Sequence, residues 1–241
     1  LDALFFQARD AGNREEMARI KEESMHYYDE GRIRSDALVK EVLEKNKENS
    51  FGLYLYYYRN FQNKDFPTLE EITAEKAYVE SFGAAAKNTR YLPWVMEKLG
   101  KYEGCAIGHE APEIVGKDTL GNELKLSDLR GNYVLVDFWN SYCHWCREET
   151  PALKRALEHF AGKNFKILGV SSDRVKKLWM DAIHEDGSYW DHLMLEKGDD
   201  VMDRYCIKGI PHIILVGPDG KILAKELRGQ DLIDVPDQFV K

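Results

Sequence analysis

The sequence has few cysteines for its length, with four in 241 residues. Domains that depend on a disulfide scaffold are short and rich in cysteine, so that class of secreted domain is excluded. No stretch is long and apolar enough to predict a membrane span. The formal net charge is −8 and no block is rich in lysine or arginine, so nucleic acid is not expected as a partner.

Other absences concern the organisation of the chain. No fixed repeat period runs through it, which excludes a regular helical solenoid. It begins at Leu1 without a methionine or a signal-like segment, so we expect a mature form or a piece of a longer protein. What is present is an ordinary globular composition, 44% hydrophobic and 32% charged, with enough residues for two modest domains.

The first half of the chain, residues 1–103, is predicted to be an all-α domain, because apolar residues recur there at helical spacing. Gly31 predicts a break between two helices, Thr68–Glu71 has the form of a capping box, and Gly100 predicts the end of the last helix. The tyrosine-rich run Tyr54–Tyr58 could be a ligand or partner surface or could pack between helices, and packing is favoured.

The second half, residues 104–241, predicts an α/β domain with a mixed sheet. Its predicted elements are a hairpin, a buried strand, a helix, a second buried strand, a helix, an irregular section, a short helix and a final hairpin. They fall near residues 112–126, 133–139, 144–160, 165–170, 174–184, 185–198, 199–205 and 212–224.

Two cysteines, Cys143 and Cys146, follow the first buried strand across a short turn, at the start of a predicted helix. Residues i and i+3 are neighbours on a helical turn, so these two thiols can close a small disulfide ring. Free N–H groups and the helix dipole stabilise a thiolate at the first position. The motif predicts thiol–disulfide exchange, in which the Cys143 thiolate attacks a substrate disulfide and Cys146 then releases the substrate.

A zinc site is the alternative for this motif, and it would need a second pair of ligands. Cys105 and His109 are nearby candidates by residue type, but their spacing is loose. The strand–turn–helix context therefore favours redox chemistry, and neither a metal nor a cofactor is expected. Cys206 is expected to be a small buried residue, and Cys105 either a buried residue or a free thiol.

Residues at fixed offsets from Cys143 give this half a resemblance to a known family. Trp139 lies four residues before Cys143, Asp137 lies six before it and Pro151 lies eight after it. The tripeptide 209–211, Gly-Ile-Pro, precedes an apolar strand. With these features residues 104–241 resemble the thioredoxin fold, and within it the TlpA/ResA-like thiol–disulfide oxidoreductases. The resemblance implies an extra N-terminal β-hairpin and a central insertion.

The resemblance also implies roles for individual residues. Asp137, on a strand that should be buried, is expected to have a raised pKa and to accept a proton from Cys146. Glu149, which is typical of the ResA-like branch, could share that role or could be a solvated surface residue. Pro211 is expected to follow a cis peptide bond and to place the backbone of Ile210 beside the dithiol, where a substrate strand can pair with it.

Four residues are predicted to bind substrate: Trp139, Ile210, His144 and Trp145. His144 could stabilise the Cys143 thiolate as a cation or could simply be exposed. The dipeptide His144-Trp145 departs from the dipeptides of well-known relatives, so the redox potential is not predicted.

The predicted function is reduction of protein disulfides outside the cytoplasm, in a periplasm or cell envelope. The resemblance implies a disulfide-bearing protein as substrate and an upstream thiol as electron donor. Two alternatives stay open. One is a disulfide oxidase or isomerase, and the other is a helical docking module with a redox-silent thioredoxin-like domain.

Overall fold

The computed structural model describes residues 2–62, 64, 65 and 68–241, without the side chains of residues 2 and 60. Residues 1, 63, 66 and 67 of the predicted helical domain therefore lie outside the described part. The chain divides into two compact units, which are Leu1–Lys64 with Tyr78–Val95 and Asp65–Ala77 with Met96–Lys241. The boundary predicted between residues 103 and 104 stays a prediction.

The first half of the chain is helical, as predicted. Helices α1–α6 are Asp2–Asp10, Arg14–Lys45, Ser50–Tyr56, Leu69–Glu80, Ala84–Lys87 and Tyr91–Gly104, and a π-helical turn spans Tyr57–Phe61. The capping box is confirmed, because the Glu71 N–H donates to Thr68 Oγ1 at 3.3 Å and the Thr68 N–H donates to Glu71 Oε2 at 3.2 Å. None of the helices in the described ranges combines the length and apolar composition needed to cross a bilayer.

Two predictions about helix ends are wrong. Helix α2 continues through Gly31, and α6 continues past Gly100 to Gly104. A glycine inside a helix costs about 1 kcal/mol relative to alanine, which neighbouring helix formers can offset. Around Gly31 the helix also gains an ion pair between Arg32 and Asp29, whose nearest N and O atoms are 3.3 Å apart.

The tyrosine-rich run packs within the helical unit. Tyr56 is buried with its ring centroid 5.7 Å from that of Phe82. Tyr54 and Tyr58 are partly exposed, and their rings lie 5.5 and 6.0 Å from the ring of Tyr91. These contacts support the packing interpretation.

The second half folds around a seven-stranded mixed sheet, in agreement with the predicted thioredoxin-like fold. Strands β1–β7 are Val115–Lys117, Glu123–Lys125, Tyr133–Trp139, Phe165–Ser171, Asp191–Met194, His212–Val216 and Ile222–Ala224, in the sheet order β2-β1-β5-β4-β3-β6-β7. Helices α7–α10 are His144–His159, Lys176–Asp186, Val201–Arg204 and Asp231–Asp234, with 3₁₀ turns at Leu126–Leu129 and Pro236–Gln238. Strand β3 lies at the centre, parallel to β4 and antiparallel to β6.

The sequence predicts an irregular section after α8, and for residues 191–194 this is wrong. These residues form β5, which pairs in parallel with β4 and antiparallel with β1. The strand is short and includes Asp191 and His192, so it lacks the apolar pattern that identifies a strand. Its pairing joins the N-terminal hairpin to the sheet, and that information is not local.

The side chains of β3 alternate between two faces of the sheet, and both faces are covered. Val136 and Phe138 pack in one apolar cluster, whereas Leu135 and Trp139 pack on the opposite face against residues of α7 and α8. Asp137 lies between Leu135 and Trp139 on that second face. The fold therefore places one carboxyl group in the layer beneath α7.

Candidate active site

A hydrogen-bonded turn connects β3 to α7. The Ser141 N–H and Oγ donate to the two carboxylate oxygens of Asp173 at 2.9 and 2.6 Å, and the Tyr142 N–H donates to Asn140 Oδ1 at 3.1 Å. Asp173 is buried and also accepts from Ser171 Oγ at 2.7 Å. A buried carboxylate thus fixes the turn that brings Cys143 to the start of α7. Sequence reasoning did not identify Asp173, because it is 32 residues from Ser141.

The two predicted redox cysteines form a disulfide. Their Sγ atoms are 2.05 Å apart and their Cα atoms 5.2 Å apart. Cys143 is the N-cap residue of α7, and its Sγ accepts a hydrogen bond from the Cys146 N–H at 3.1 Å. Cys143 is half-buried, whereas Cys146 is 3% exposed. A partner molecule can therefore reach Cys143, and the helix N-terminus stabilises that sulfur when it is a thiolate.

Apolar residues from several parts of the chain surround this disulfide. Trp139 and Cys146 belong to one buried cluster, and Cys143 and Ile210 pack against it. The Ile210–Pro211 peptide bond is cis, which confirms that prediction. Trp139 is buried, so it lies beneath the disulfide rather than on the surface.

Asp137 is buried at this site. Burial raises its pKa to about 7, an effect that the negative charge of Glu149 adds to and the positive charge of Arg228 opposes. Within the described residues, Asp137 Oδ1 has no hydrogen-bond partner. A carboxyl group in this state exchanges a proton near neutral pH, as the sequence interpretation requires of a proton acceptor.

Glu149 and Arg228, whose charges act on the Asp137 carboxyl group, are each held by a backbone hydrogen bond. Glu149 is partly buried, and its Oε2 accepts a hydrogen bond from the Gly229 N–H at 2.9 Å. The Arg228 guanidinium donates to the carbonyl oxygen of Pro211. Arg228 was missed at the sequence level, because it belongs to no short motif and lies far from the cysteines in sequence.

The dipeptide between the cysteines faces solvent. Trp145 is 69% exposed, and its ring centroid is 5.5 Å from that of His144. His144 Nε2 lies 3.0 Å from an oxygen of Glu148, one helical turn on. Of the four predicted substrate-binding residues, Ile210 therefore packs beside the disulfide, Trp139 lies beneath it, and His144 and Trp145 point outward.

Two buried histidines near the site also lay outside the predicted set. The ring of His192 is 5.6 Å from that of Trp139, and His192 Nε2 is 2.7 Å from the Ser188 carbonyl oxygen. Burial lowers the pKa of His192, and of His212 after the cis-proline, to about 4. Both rings are therefore neutral at pH 7, whereas the pKa of the buried Asp137 carboxyl lies close to that pH.

Comparison with known proteins agrees with this geometry. A family model described as the AhpC/TSA family matches residues 107–225. The chain is 29% identical to the thiol-disulfide oxidoreductase ResA of Bacillus subtilis (strain 168) over 121 residues. The aligned region covers 50% of this chain and 67% of that protein. Among solved structures, the thioredoxin domain of a thiol-disulfide oxidoreductase from Bacteroides vulgatus is 53% identical, with 56% of this chain and 99% of that chain covered and a TM-score of 0.55. A thiol:disulfide interchange protein from Bacteroides sp. is 52% identical, with 57% and 91% covered and a TM-score of 0.54.

Proposed function

Because the chain belongs to the TlpA/ResA-like thiol–disulfide oxidoreductases of the thioredoxin-like superfamily, we propose that it reduces protein disulfides outside the cytoplasm. The observation that carries the proposal is the asymmetry of the disulfide. Cys143 is half-buried at a helix N-terminus and accepts an N–H, whereas Cys146 is buried behind it. This is the arrangement of an attacking thiol and a protected resolving thiol.

The reaction proceeds in two exchange steps. The Cys143 thiolate attacks a substrate disulfide, forms a mixed disulfide and expels one substrate thiolate. Asp137 then accepts the proton of the Cys146 thiol, and the Cys146 thiolate attacks Cys143. The second substrate thiolate leaves and the Cys143–Cys146 disulfide closes. Two electrons have passed from the protein to the substrate, whose two thiolates take up protons from Asp137 and from water.

The surface around Cys143 suits an extended protein segment. Ile210 packs against the cluster that contains Cys146 and precedes the cis-proline, so we expect a substrate strand to pair with its backbone. Tyr142 and Trp145, which flank Cys143 in sequence and are 73% and 69% exposed, provide apolar contact area for such a segment. A thiol electron donor upstream must reduce the Cys143–Cys146 disulfide after each turnover. The location outside the cytoplasm rests on the family resemblance.

Two measurements test the direction of the reaction. Reduced wild-type protein should reduce insulin disulfides in the presence of excess dithiothreitol faster than dithiothreitol alone, and Cys143→Ser should not. Equilibration in glutathione buffers gives the redox potential. A potential near −120 mV, at the strongly oxidising end of the family, would contradict the reductase proposal and favour an oxidase. Absence of turnover by the wild type would favour a docking module.

A trapping experiment identifies the substrate class. A Cys146→Ser variant keeps the attacking thiol but lacks the resolving thiol, so it should accumulate a mixed disulfide with its protein substrate. Non-reducing electrophoresis followed by mass spectrometry identifies the trapped protein. Cys143→Ser is the matched control, and equal trapping by both variants would contradict the assignment of Cys143 as the attacking residue.

A further inference from the structure

Two further cysteines, Cys105 and Cys206, pack in one apolar cluster of the α/β unit although they are 101 positions apart. Cys105 follows the end of α6 and is fully buried in the apolar cluster on one face of the sheet. Cys206 follows α9, packs against the same cluster and is partly exposed. Cys206 also lines a cleft of about 400 Å³ together with Pro211 and Arg228. The prediction that Cys206 is buried is therefore correct for only part of its side chain.

The backbone at Cys206 is unusual for a cysteine. Its φ is +55°, in the left-handed region. The Cys206 N–H donates to the Asp203 carbonyl at 3.0 Å, and the Ile207 N–H donates to the Met202 carbonyl at 2.8 Å. This pair of bonds is the Schellman motif, whose left-handed position glycine usually occupies. Cysteine is less favourable than glycine in this backbone conformation. Its presence at position 206 therefore points to a role for its side chain.

The surroundings favour a thiolate on one member of the pair. A hydrogen bond with the Cys206 thiol and the nearby Lys225 ammonium lower the pKa of Cys105 to about 7, although burial opposes them. Lys225 Nζ is 3.6 Å from Cys105 Sγ and 3.1 Å from the Cys105 carbonyl oxygen. The pKa of Cys206 is raised, because its thiol hydrogen-bonds with Cys105 and is partly buried. The pair therefore loses one proton readily and holds the second.

From this geometry we propose that Cys105 and Cys206 are a second redox-active dithiol, which small disulfide compounds oxidise to an intramolecular disulfide. The compound enters the cleft that Cys206 lines. Cys206 passes its proton to Cys105 and attacks one sulfur of the compound, which forms a mixed disulfide and expels a thiolate. The Cys105 thiol loses its proton and attacks Cys206, which expels the second thiolate. One of the two expelled thiolates takes up the proton that Cys105 released and the other takes a proton from water, and the compound gains two electrons from the protein.

The disulfide would link the end of α6 to the segment that leads into the cis-proline loop. Cys206 is four residues before Ile210, which packs against the Cys143–Cys146 cluster. Closing a link across 101 positions restricts the unfolded chain strongly, so the oxidised domain should unfold at a higher temperature than the reduced domain. This proposal does not depend on the direction of catalysis at Cys143.

The full chain carrying Cys143→Ser and Cys146→Ser tests the proposal, because Cys105 and Cys206 are then its two remaining cysteines. The reduced protein is incubated with oxidised glutathione, and thiols are counted after denaturation. We expect the count to fall from two to none, a tryptic peptide with Cys105 to be linked to one with Cys206, and the unfolding midpoint to rise. The same protein with Cys206→Gly, a residue suited to the left-handed backbone, should show no linked peptide and no rise.

Two results would overturn the proposal. One is that both thiols still react after incubation with oxidised glutathione. The other is that glutathione stays attached to Cys206 while Cys105 keeps its thiol. Neither result would bear on insulin reduction by the wild type, so failure of this proposal and failure of the proposed reductase function can be told apart.

Discussion

The two cysteine pairs of the α/β unit lie at opposite kinds of helix end. Cys143 is the N-cap residue of α7, and its Sγ accepts a hydrogen bond from the Cys146 N–H, so the helix dipole favours its thiolate. Cys105 follows the end of α6 and Cys206 follows the end of α9, where the dipole disfavours an anion. Lys225 supplies the opposing charge there. A helix start thus provides thiolate stabilisation through the backbone, whereas a helix end requires a cationic side chain.

The pairs also differ in what can reach them. Cys143 is half-buried beside exposed aromatic rings, which suits a protein substrate. Cys206 is reached through a cleft, which suits a small molecule, and Cys105 is fully buried behind it. The position of each pair in the fold therefore decides the size of its reaction partner.

The largest expected effect separates the pairs by activity. Cys143→Ser should lower the rate of insulin reduction at least about 10³-fold, on the scale of losses seen when a nucleophile is removed. Cys206→Gly should reduce insulin at close to the wild-type rate, because Cys206 is not part of the exchange between Cys143 and Cys146. Turbidity on insulin precipitation gives both rates. A comparable loss of rate in Cys206→Gly would contradict the separation of the two pairs, since both would then take part in the same catalytic reaction.

The sequence predicts the first pair well because its information is local. Cys143 and Cys146 are adjacent on one helical turn, and Trp139 and Asp137 precede them on one strand. The second pair is not predictable in this way, since its members are 101 positions apart and meet only in the folded domain. The same reason hides Asp173 and Arg228, whose contacts with the site join distant segments.

The next effect concerns the acid beneath the first pair. Asp137 has a pKa of about 7 in the folded protein and 3.8 as its ordinary value. Below pH 3.8 both states are protonated. As the pH rises from there to about 7, the folded state keeps a proton that the unfolded state has lost, so stability falls. The loss is on the order of 4 kcal/mol, because the folded and unfolded pKa values of Asp137 differ by about 3 and a difference of one corresponds to 1.36 kcal/mol.

Asp137→Asn removes this loss, since its amide does not ionise. It should therefore be more stable than the wild type at pH 8, while the two should differ much less near pH 4. Urea unfolding of the oxidised proteins at both pH values measures this. Asp203→Asn, which changes an exposed carboxylate, is the control and should lack the pH-dependent gain. A constant difference between Asp137→Asn and the wild type at both pH values would contradict the raised pKa.

The third effect tests which acid serves Cys146. Asp137→Asn should slow release of substrate from the mixed disulfide roughly 10²-fold, the lower range for loss of a general base. Glu149→Gln should slow it less, because Glu149 is already held by the Gly229 N–H. Rapid quenching with acid and mass analysis measure the accumulated mixed disulfide. Greater accumulation in Glu149→Gln would transfer the role of proton acceptor to Glu149.

The fold is predictable where a secondary-structure element can be identified from its own contiguous segment of sequence. Strand β3 is an apolar run, and the N-terminal hairpin surrounds an evident turn, so both are predicted. Strand β5 is stabilised by its neighbours β1 and β4 rather than by its own pattern. In the helical half, Gly31 and Gly100 do not end their helices, because the free-energy cost of one glycine is smaller than the stabilisation from the surrounding helical residues.

The smallest effect isolates the backbone of the second pair. Under reducing conditions, Cys206→Gly should be about 1 kcal/mol more stable than Cys206→Ala. Both variants lack the sulfur, so the difference reports the left-handed conformation, which costs an L-residue roughly 1–2 kcal/mol and glycine very little. The greater freedom of glycine in the unfolded chain offsets part of this gain. Urea unfolding with a thiol reductant present measures the difference. Equal stabilities would mean that residue 206 leaves the left-handed region when its sulfur is absent, and that contact with Cys105 is what holds the backbone there.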